Sequence, residues 1–351
     1  MNQLTKGAAI MLATMLTTAA PTARAEWAKV NIKGSLDVFG AKQDSGDLQD
    51  NLRMQNVEVK FSAELTQHVR AVVKTRIDQM LRENGQNASF TFDWYKFIDE
   101  AYIEVKSVGG KDIAFLIGKQ KIPFGQVDRD GDPLTFMPFN QEGGLYSATN
   151  LPRVQGITVQ LGTNVLNLVK SVEVAIFEAP RDDFGVGNRA GVAARVKSKP
   201  IFNEKVSLTA SAMHLSDDGF STAGEQRYSL GAVYENGDWT AYVEGVGFVN
   251  SKDHPGTNIG ATIGVAKRVG PGRLALEHTY MPKLYRRLAI GYMVPIGDNF
   301  ELGPEIMYSW NDQSTGKGDE LIVGARLTYK SGDISLGTKG KALYDAVHNG
   351  G

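Results

Sequence analysis

From about residue 27 onward, apolar and polar side chains take turns along the chain. In VNIKGSLDVFG, Val30, Ile32, Gly34, Leu36 and Val38 hold every second place, and Asn31, Lys33, Ser35 and Asp37 hold the places between. In VEVKFSAEL, Val57, Val59, Phe61, Ala63 and Leu65 oppose Glu58, Lys60, Ser62 and Glu64; in HVRAVVKTRID, Val69, Ala71, Val73, Thr75 and Ile77 oppose Arg70, Lys74, Arg76 and Asp78. A period of two is the mark of a β-strand with unlike faces. Sixteen such segments are predicted, near residues 27–40, 52–65, 68–78, 96–107, 111–119, 153–162, 170–179, 189–198, 205–215, 226–236, 239–250, 258–269, 273–281, 285–296, 300–311 and 319–330. Most exceed the roughly 5–6 residues of a soluble strand and reach the 9–11 that a tilted membrane strand needs.

The connections differ in kind at the two ends of these strands. One set is short and built for tight turns: Thr66-Gln67, VGGK at 108–111, Asn236-Gly237-Asp238, Gly270-Pro271-Gly272 and Gly297-Asp298-Asn299. Gly and Asn reach positive φ cheaply, and Pro presets a turn position. The intervening set is longer and polar: 41–51, 79–95, 120–152, 180–188, 216–225, 251–257 and 312–318. Turns on one rim and loops on the other are the layout of a transmembrane antiparallel β-barrel. Chemistry of the faces points the same way, because one is Val, Ile, Ala, Leu and Gly while the other is repeatedly charged. Such charges do not fill a dry sandwich core but are solvated in a water-filled lumen. Aromatics near strand ends, among them Trp27, Phe39, Phe177, Trp239, Phe248, Tyr280, Tyr285, Phe300, Trp310 and Tyr329, are expected to form interface girdles.

Residues 1–25 stand apart. Lys6 gives a basic start, Gly7 to Ala20 is apolar and small, and Ala23-Arg24-Ala25 forms an A-x-A box, so this segment reads as a cleaved secretory signal peptide. Residues 26–330 are then the barrel, and 331–351 a C-terminal tail of unassigned role. The whole chain carries 38 Lys plus Arg against 39 Asp plus Glu, a balance that argues against nucleic-acid binding. With no Cys there are no disulfides, thiolate metal sites or Cys nucleophiles. Export without Cys suits the bacterial envelope. No later segment is apolar for about 18 residues, which leaves strands rather than helices to cross a membrane.

Against this rhythm, GKQKIPFGQVDRDGDPLTFMPFN at 118–140 shows neither alternation nor a helical period, and the irregular connection runs on to about Arg153. Loops beyond roughly 12–15 residues are uncommon unless they have a function. The passage DIAFLIGKQKIPFG, with Gly118, Lys119, Lys121, Pro123, Phe124 and Gly125, resembles the strand-to-loop passage of phosphate-selective porins of the O and P type; PLTFMPFN at 133–140 takes the place of their Phe-rich loop segment, and RVQGITVQLG at 153–162 that of the following strand. This resemblance implies a homotrimeric outer-membrane porin of sixteen strands whose long third external loop folds into the pore. Two features depart from the family pattern: the chain continues past Tyr329 where such porins end on an aromatic, and the loop edges are not predominantly basic. From Lys119 to Arg153, Lys119, Lys121, Arg129 and Arg153 are matched by Asp128, Asp130, Asp132 and Glu142.

The expected function is passive diffusion of small hydrophilic solutes or inorganic anions such as phosphate, with outer-membrane lipid as the surroundings and no cofactor. Candidate solute contacts are Lys119, Lys121, Arg129 and Arg153 of the loop region, the wall ladder Arg70, Lys74 and Arg76, and the acids Asp128, Asp130, Asp132 and Glu142; Pro123, Phe124 and Gly125 form the loop entry. Each wall cation has a second reading, as the partner of a Glu on the next strand. The DRDGD cluster at 128–132 lacks the full calcium-loop spacing and reads as a solvated tip. An enzyme is disfavoured: the five histidines, His68, His214, His254, His278 and His348, fall in no Gly-x-Ser-x-Gly elbow or His-Glu-x-x-His helix. The rival reading is a nonconducting or gated barrel that binds a surface partner.

Overall fold

The computed structural model describes residues 29–43, 48–76, 82–83, 90–91, 98–125, 153–162, 168–179, 189–216, 224–249, 259–281, 285–311, 319–330 and 334–335. Within them lie sixteen long strands: β1 Lys29–Gln43, β2 Leu48–Thr66, β3 Val69–Arg76, β4 Ile98–Val105, β5 Ile113–Lys121, β6 Arg153–Leu161, β7 Val169–Ala179, β8 Arg189–Ser198, β9 Val206–Leu215, β10 Glu225–Asn236, β11 Trp239–Val249, β12 Ile259–Val269, β13 Gly272–Met281, β14 Tyr285–Ile296, β15 Phe300–Asn311 and β16 Glu320–Lys330. Every predicted strand is present, displaced by four residues or fewer at its ends.

Each strand pairs antiparallel with the next along the chain. β1 pairs on one side with β2 and on the other with β16, Lys33 to Gln43 running against Lys330 to Glu320, so the order of neighbours returns to its start. The tail contributes to this seam: Ile334 and Ser335 pair with Val30 and Lys29, extending the last strand beyond Tyr329. Described residues contain no α-helix; a single 3-10 turn, Val108–Gly110, joins β4 to β5. The Asn236-Gly237-Asp238-Trp239 hairpin closes tightly because Gly237, at φ 55°, takes the left-handed place that the turn requires.

Burial is inverted relative to a soluble sheet. On β7, Val174 and Ile176 are exposed while Glu173 and Ala175 are buried; on β11, Val243 is exposed while Glu244 is fully buried. Ile176 (69% exposed) and Leu230 (71%) belong to an apolar outer band that continues through Ile157, Val192, Ile263, Ile290, Ile306 and Val323. Such a band belongs in lipid, and the inward row carries the ionisable and hydroxyl groups. Cross-strand contacts order that row: the Ser229 hydroxyl donates to Glu244, Thr262 and Thr279 share a hydrogen bond of 3.1 Å, and Arg287 Nε donates to Ser309 Oγ at 3.3 Å. Small residues make room for large ones on the inner wall. A Cβ at Gly264 would lie 2.5 Å from the Tyr242 ring, so the glycine is the seat of that ring.

The aromatic girdle is partly borne out. Trp239, Phe300 and Trp310 are exposed near strand ends, and the Lys267 ammonium lies 4.8 Å from the Trp239 ring centre, as an interfacial ring and a snorkelling cation would. Phe177 and Phe248 correct it: both are buried on the inward row, because Ala175 and Val246, two residues earlier, already face inside.

Ile176 tests the inverted burial. Ile176→Arg is expected to lower the unfolding free energy in micelles by about 1–2 kcal/mol, the cost of a cation on a lipid face between mid-depth and the long-loop rim. A urea titration followed by tryptophan fluorescence reads this, and a change below about 0.5 kcal/mol would place the residue away from lipid.

Candidate functional site

The long connection leaves β5 through Ile122, Pro123, Phe124 and Gly125, and all four residues are buried. Pro123 withholds a ladder donor and stops the strand, while Gly125 takes φ 74° and lets the chain turn. The turn carries the backbone across the neighbouring strands. Gly125 N–H donates to Ser211 Oγ on β9 at 2.9 Å, and its carbonyl accepts from Arg195 Nε on β8 at 2.8 Å. Both side chains belong to the inward row, as Met213 and Ala193 beside them do. The loop entry therefore lies inside the barrel, having passed β6 and β7.

Two environments receive it. Phe124 packs in an apolar pad made of Ile122, Val154, Phe177, Met213, Leu215, Val246, Phe248 and Met281, with Tyr285 against its edge. Phe177, Leu215, Phe248, Met281 and Tyr285 all sit where their strands meet the long-loop rim, so the pad lines that mouth from β6 round to β14. Deeper down the wall is a polar clamp. Arg195, 2% exposed, has Nη1 at 3.6 Å from Glu173 Oε2, and Glu173 Oε1 accepts from Gln160 Nε2 at 3.1 Å. Arg195 and Glu173 face one another directly across β7 and β8. A fixed guanidinium between a carboxylate and a peptide carbonyl holds the loop by charge-assisted hydrogen bonding in a place shielded from water.

Arg70 and Lys74 are both held in ion pairs. Arg70 Nε donates to Glu104 Oε2 at 2.7 Å, Arg70 Nη2 lies 2.5 Å from the same oxygen, and Glu64 stands 4.0 Å away. Lys74 Nζ lies 2.9 Å from both Glu58 and Asp99 and 3.9 Å from Glu100. Arg76 stands opposite Glu58 in the β2–β3 ladder. These cations share the inward face with acids, and the wall near β2–β4 is a mesh of alternating sign.

Lys119 and Lys121 occupy a different row. Their ladder positions face Gln155 and Arg153 respectively, in unbroken register with Ile117 opposite Ile157. Alternation puts both lysines in step with the exposed Ile117, whereas Leu116 and Gln120 are buried on the inward row. Lys119 is itself buried, and its Nζ donates to the Ile98 carbonyl at 2.6 Å. Lys121 and Arg153 form the last rung before the strands part, two cationic positions at the base of the loop. Asp128, Arg129, Asp130, Asp132 and Glu142 lie outside the described residues, as does the Phe-rich segment 133–140.

Arg195, Ser211 and Glu173 were not among the predicted contacts. Arg195 had a local signal: in AGVAARVKS it stands in register with Ala193 and Lys197, opposite the Val192–Val196 row. Its partner, 70 residues earlier in the chain, had none.

A wall of paired strands, apolar outside and polar within, entered by its longest connection, defines an outer-membrane channel of the β-barrel class. The family model for Gram-negative porins matches residues 8–338, and the chain belongs to that family. No curated protein sequence matched it. Among solved structures, it is similar to OmpF of Salmonella typhi in complex with daunomycin, at 14% identity and a TM-score of 0.62 over 87% of this chain and 98% of that one. It is also similar to the outer membrane channel DcaP of Acinetobacter baumannii, at 11% identity and 0.58 over 87% and 96%. A third likeness is to an anion-selective porin from Comamonas acidovorans, at 15% identity and 0.57 over 87% and 99%. The family and the fold together mark a channel of the outer membrane rather than an enzyme.

The clamp predicts a coupled energy. Arg195→Ala leaves Glu173 buried without its guanidinium and is expected to cost about 3–5 kcal/mol of stability. Glu173→Ala added to Arg195→Ala is expected to cost less than the two single changes together, by about 1–3 kcal/mol, in urea titrations of the four-member cycle. Strict additivity would mean that the two groups do not act as a pair.

Proposed function

We infer that the protein is a diffusion porin for small hydrophilic solutes, with a constriction built by the connection that follows β5. The observation that carries this reading is Gly125, held on the inner wall between Arg195 and Ser211. A loop anchored there narrows the lumen, and irregular backbone is tolerable at membrane depth where it lines water instead of lipid. Solutes crossing the constriction meet fixed charges of both signs, so size and dipole, together with charge, set passage. The chain is exported by residues 1–25 and works as a homotrimer in the outer membrane; a similar outer membrane protein, OmpT of Vibrio cholerae, has been solved in a trimer form.

Anion preference is the finer reading, and one observation favours it. One of the similar structures is an anion-selective porin. The pairing of Arg70 and Lys74 with carboxylates limits the size of the effect, so a mild preference is expected rather than an anion-specific binding site.

The test is the reversal potential of the refolded chain in a planar bilayer under a KCl gradient. A steady conductance reversing on the chloride side is expected. Reversal on the potassium side in the unaltered protein would discard the anion preference and keep the porin. A barrel that inserts without conducting would favour the partner-binding alternative.

A further inference from the structure

The turn between β8 and β9 is built unlike the other short turns. Phe202, Asn203 and Glu204 take φ of 50°, 59° and 62°, three successive left-handed residues with no glycine among them. Side chains pay a steric penalty there, so such a run persists where surrounding contacts impose it. Those contacts are visible: Ile201 and Val206 exchange backbone hydrogen bonds of 2.7 and 3.0 Å, and Lys205 N–H donates to the Ile201 carbonyl at 3.1 Å. The shoulders are tied to neighbouring strands, Lys199 N–H to the Leu168 carbonyl at 2.8 Å and the Lys205 carbonyl to Glu235 N–H at 2.9 Å. At the tip Phe202 is 75% exposed.

This rigid turn stands on the rim opposite the long loops, which in a barrel of this class faces the periplasm. It presents Lys199 and Lys205, and Lys170 lies exposed at the start of β7, two residues from Leu168. None of the three makes an ion pair with another described residue. The exposed Glu204 and Glu235 stand on the Lys205 side, so the positive edge is strongest over β7 and β8 at Lys170 and Lys199, with Lys205 completing it.

Directly beneath that edge the lipid-facing surface is hollow. A groove of about 550 Å³ runs between Val196, Leu208, Leu230 and Val243, with Ala210 and Ala232 as its floor, and Leu168 and Val169 at the end nearest the lysines. It adjoins a second hollow of about 300 Å³ that shares Ala232 and Val243. Its shape follows from the register: Ala210 faces Val196 and Leu230, and Ala232 faces Leu208 and Val243, so each alanine leaves a gap between larger side chains.

An apolar trough that opens under a cluster of cations, beside an aromatic at interface level, fits an amphiphile with an anionic head and a hydrocarbon tail. We propose that this face is a binding site for one anionic phospholipid of the periplasmic leaflet. Its phosphate lies among Lys170, Lys199 and Lys205, one acyl chain fills the alanine-floored groove, and Phe202 marks the depth of the headgroup layer. Charge complementarity selects the occupant: an amphiphile of zero net charge would leave Lys170 and Lys199 without a net counter-charge, whereas each lysine near an anionic headgroup strengthens its retention. The site rests on the membrane placement of the barrel and is independent of conductance.

The test uses the refolded full chain in detergent micelles with equal amounts of dioleoyl phosphatidylglycerol and dioleoyl phosphatidylcholine, lipids counted by native mass spectrometry. One phosphatidylglycerol is expected to be retained about tenfold over phosphatidylcholine. Lys170→Gln with Lys199→Gln and Lys205→Gln should abolish the preference, the corresponding three Arg replacements should keep it, and Ala210→Trp, which fills the trough, should reduce retention of both lipids. Equal retention of the two lipids by the unaltered protein, or a preference that survives the three Gln replacements, would overturn the proposal. Unchanged retention in Ala210→Trp would overturn it too, by removing the groove from the site. Folding of each variant is checked by heat-dependent electrophoretic mobility, with Lys170→Gln alone as a milder probe, expected to lower the ratio. Bilayer conductance should be unchanged throughout.

Discussion

A backbone N–H or C=O with no partner in the hydrocarbon of a bilayer costs several kcal/mol, and a strand end to end in lipid carries a row of them. Everything else in this chain follows from meeting that demand. β1 meets it by pairing on both edges, with β2 over Lys29 to Lys42 and with β16 over Lys33 to Gln43. Where β16 ends, the tail continues the ladder through Ile334 and Ser335, so the first residues of β1 are paired as well. Once backbone groups are satisfied sideways, the side chains are released to divide between two solvents, and the period of two makes that division residue by residue.

The division explains why the strands were legible and the site was not. Strand identity is a local property: in β7, VEVAIFE states its two faces within seven residues, and no distant part of the chain alters them. The loop entry is a property of pairs. Gly125 is a turn residue in sequence, and its position inside the barrel depends on Arg195 and Ser211, which lie on strands that reach it through the curvature of the sheet. Lys119 and Lys121 show a subtler failure. They were grouped with the irregular loop because Pro123 and Gly125 follow so closely, yet β5 runs to Lys121, and its register sets them in the row of Ile117. The strand's own alternation held that information: Lys119 lay within the predicted segment 111–119, and only for Lys121 did ending the strand two residues early conceal it.

Charge followed the same logic. A sequence count of four bases against four acids near the loop gave no sign of selectivity, and the described wall is balanced by direct pairing: Arg70 with Glu104, Lys74 with Glu58 and Asp99, Arg195 with Glu173. Pairing of this kind suits a lumen. Isolated buried charges would be expensive, and unpaired charges of one sign around a ring would repel each other. A wall of alternating sign keeps the lumen wet and the ring stable while leaving the net field weak.

The inner wall also departs from a uniform polar lining, and the departure is what holds the loop. Toward the long-loop rim the inward row turns apolar through Phe177, Leu215, Phe248 and Met281, and Phe124 is seated among these side chains. A water-filled lumen would favour polar residues at each of those places if nothing covered them. Among the described residues, Ile122 and Phe124 are the part of the connection packed over these apolar side chains. The polar clamp beneath sets direction: Arg195 can satisfy Glu173 and the Gly125 carbonyl together in one orientation of the loop entry, so apolar burial supplies the attraction and the guanidinium fixes the angle. The described part of the connection is stiffened at this entry, where backbone is bonded to the wall.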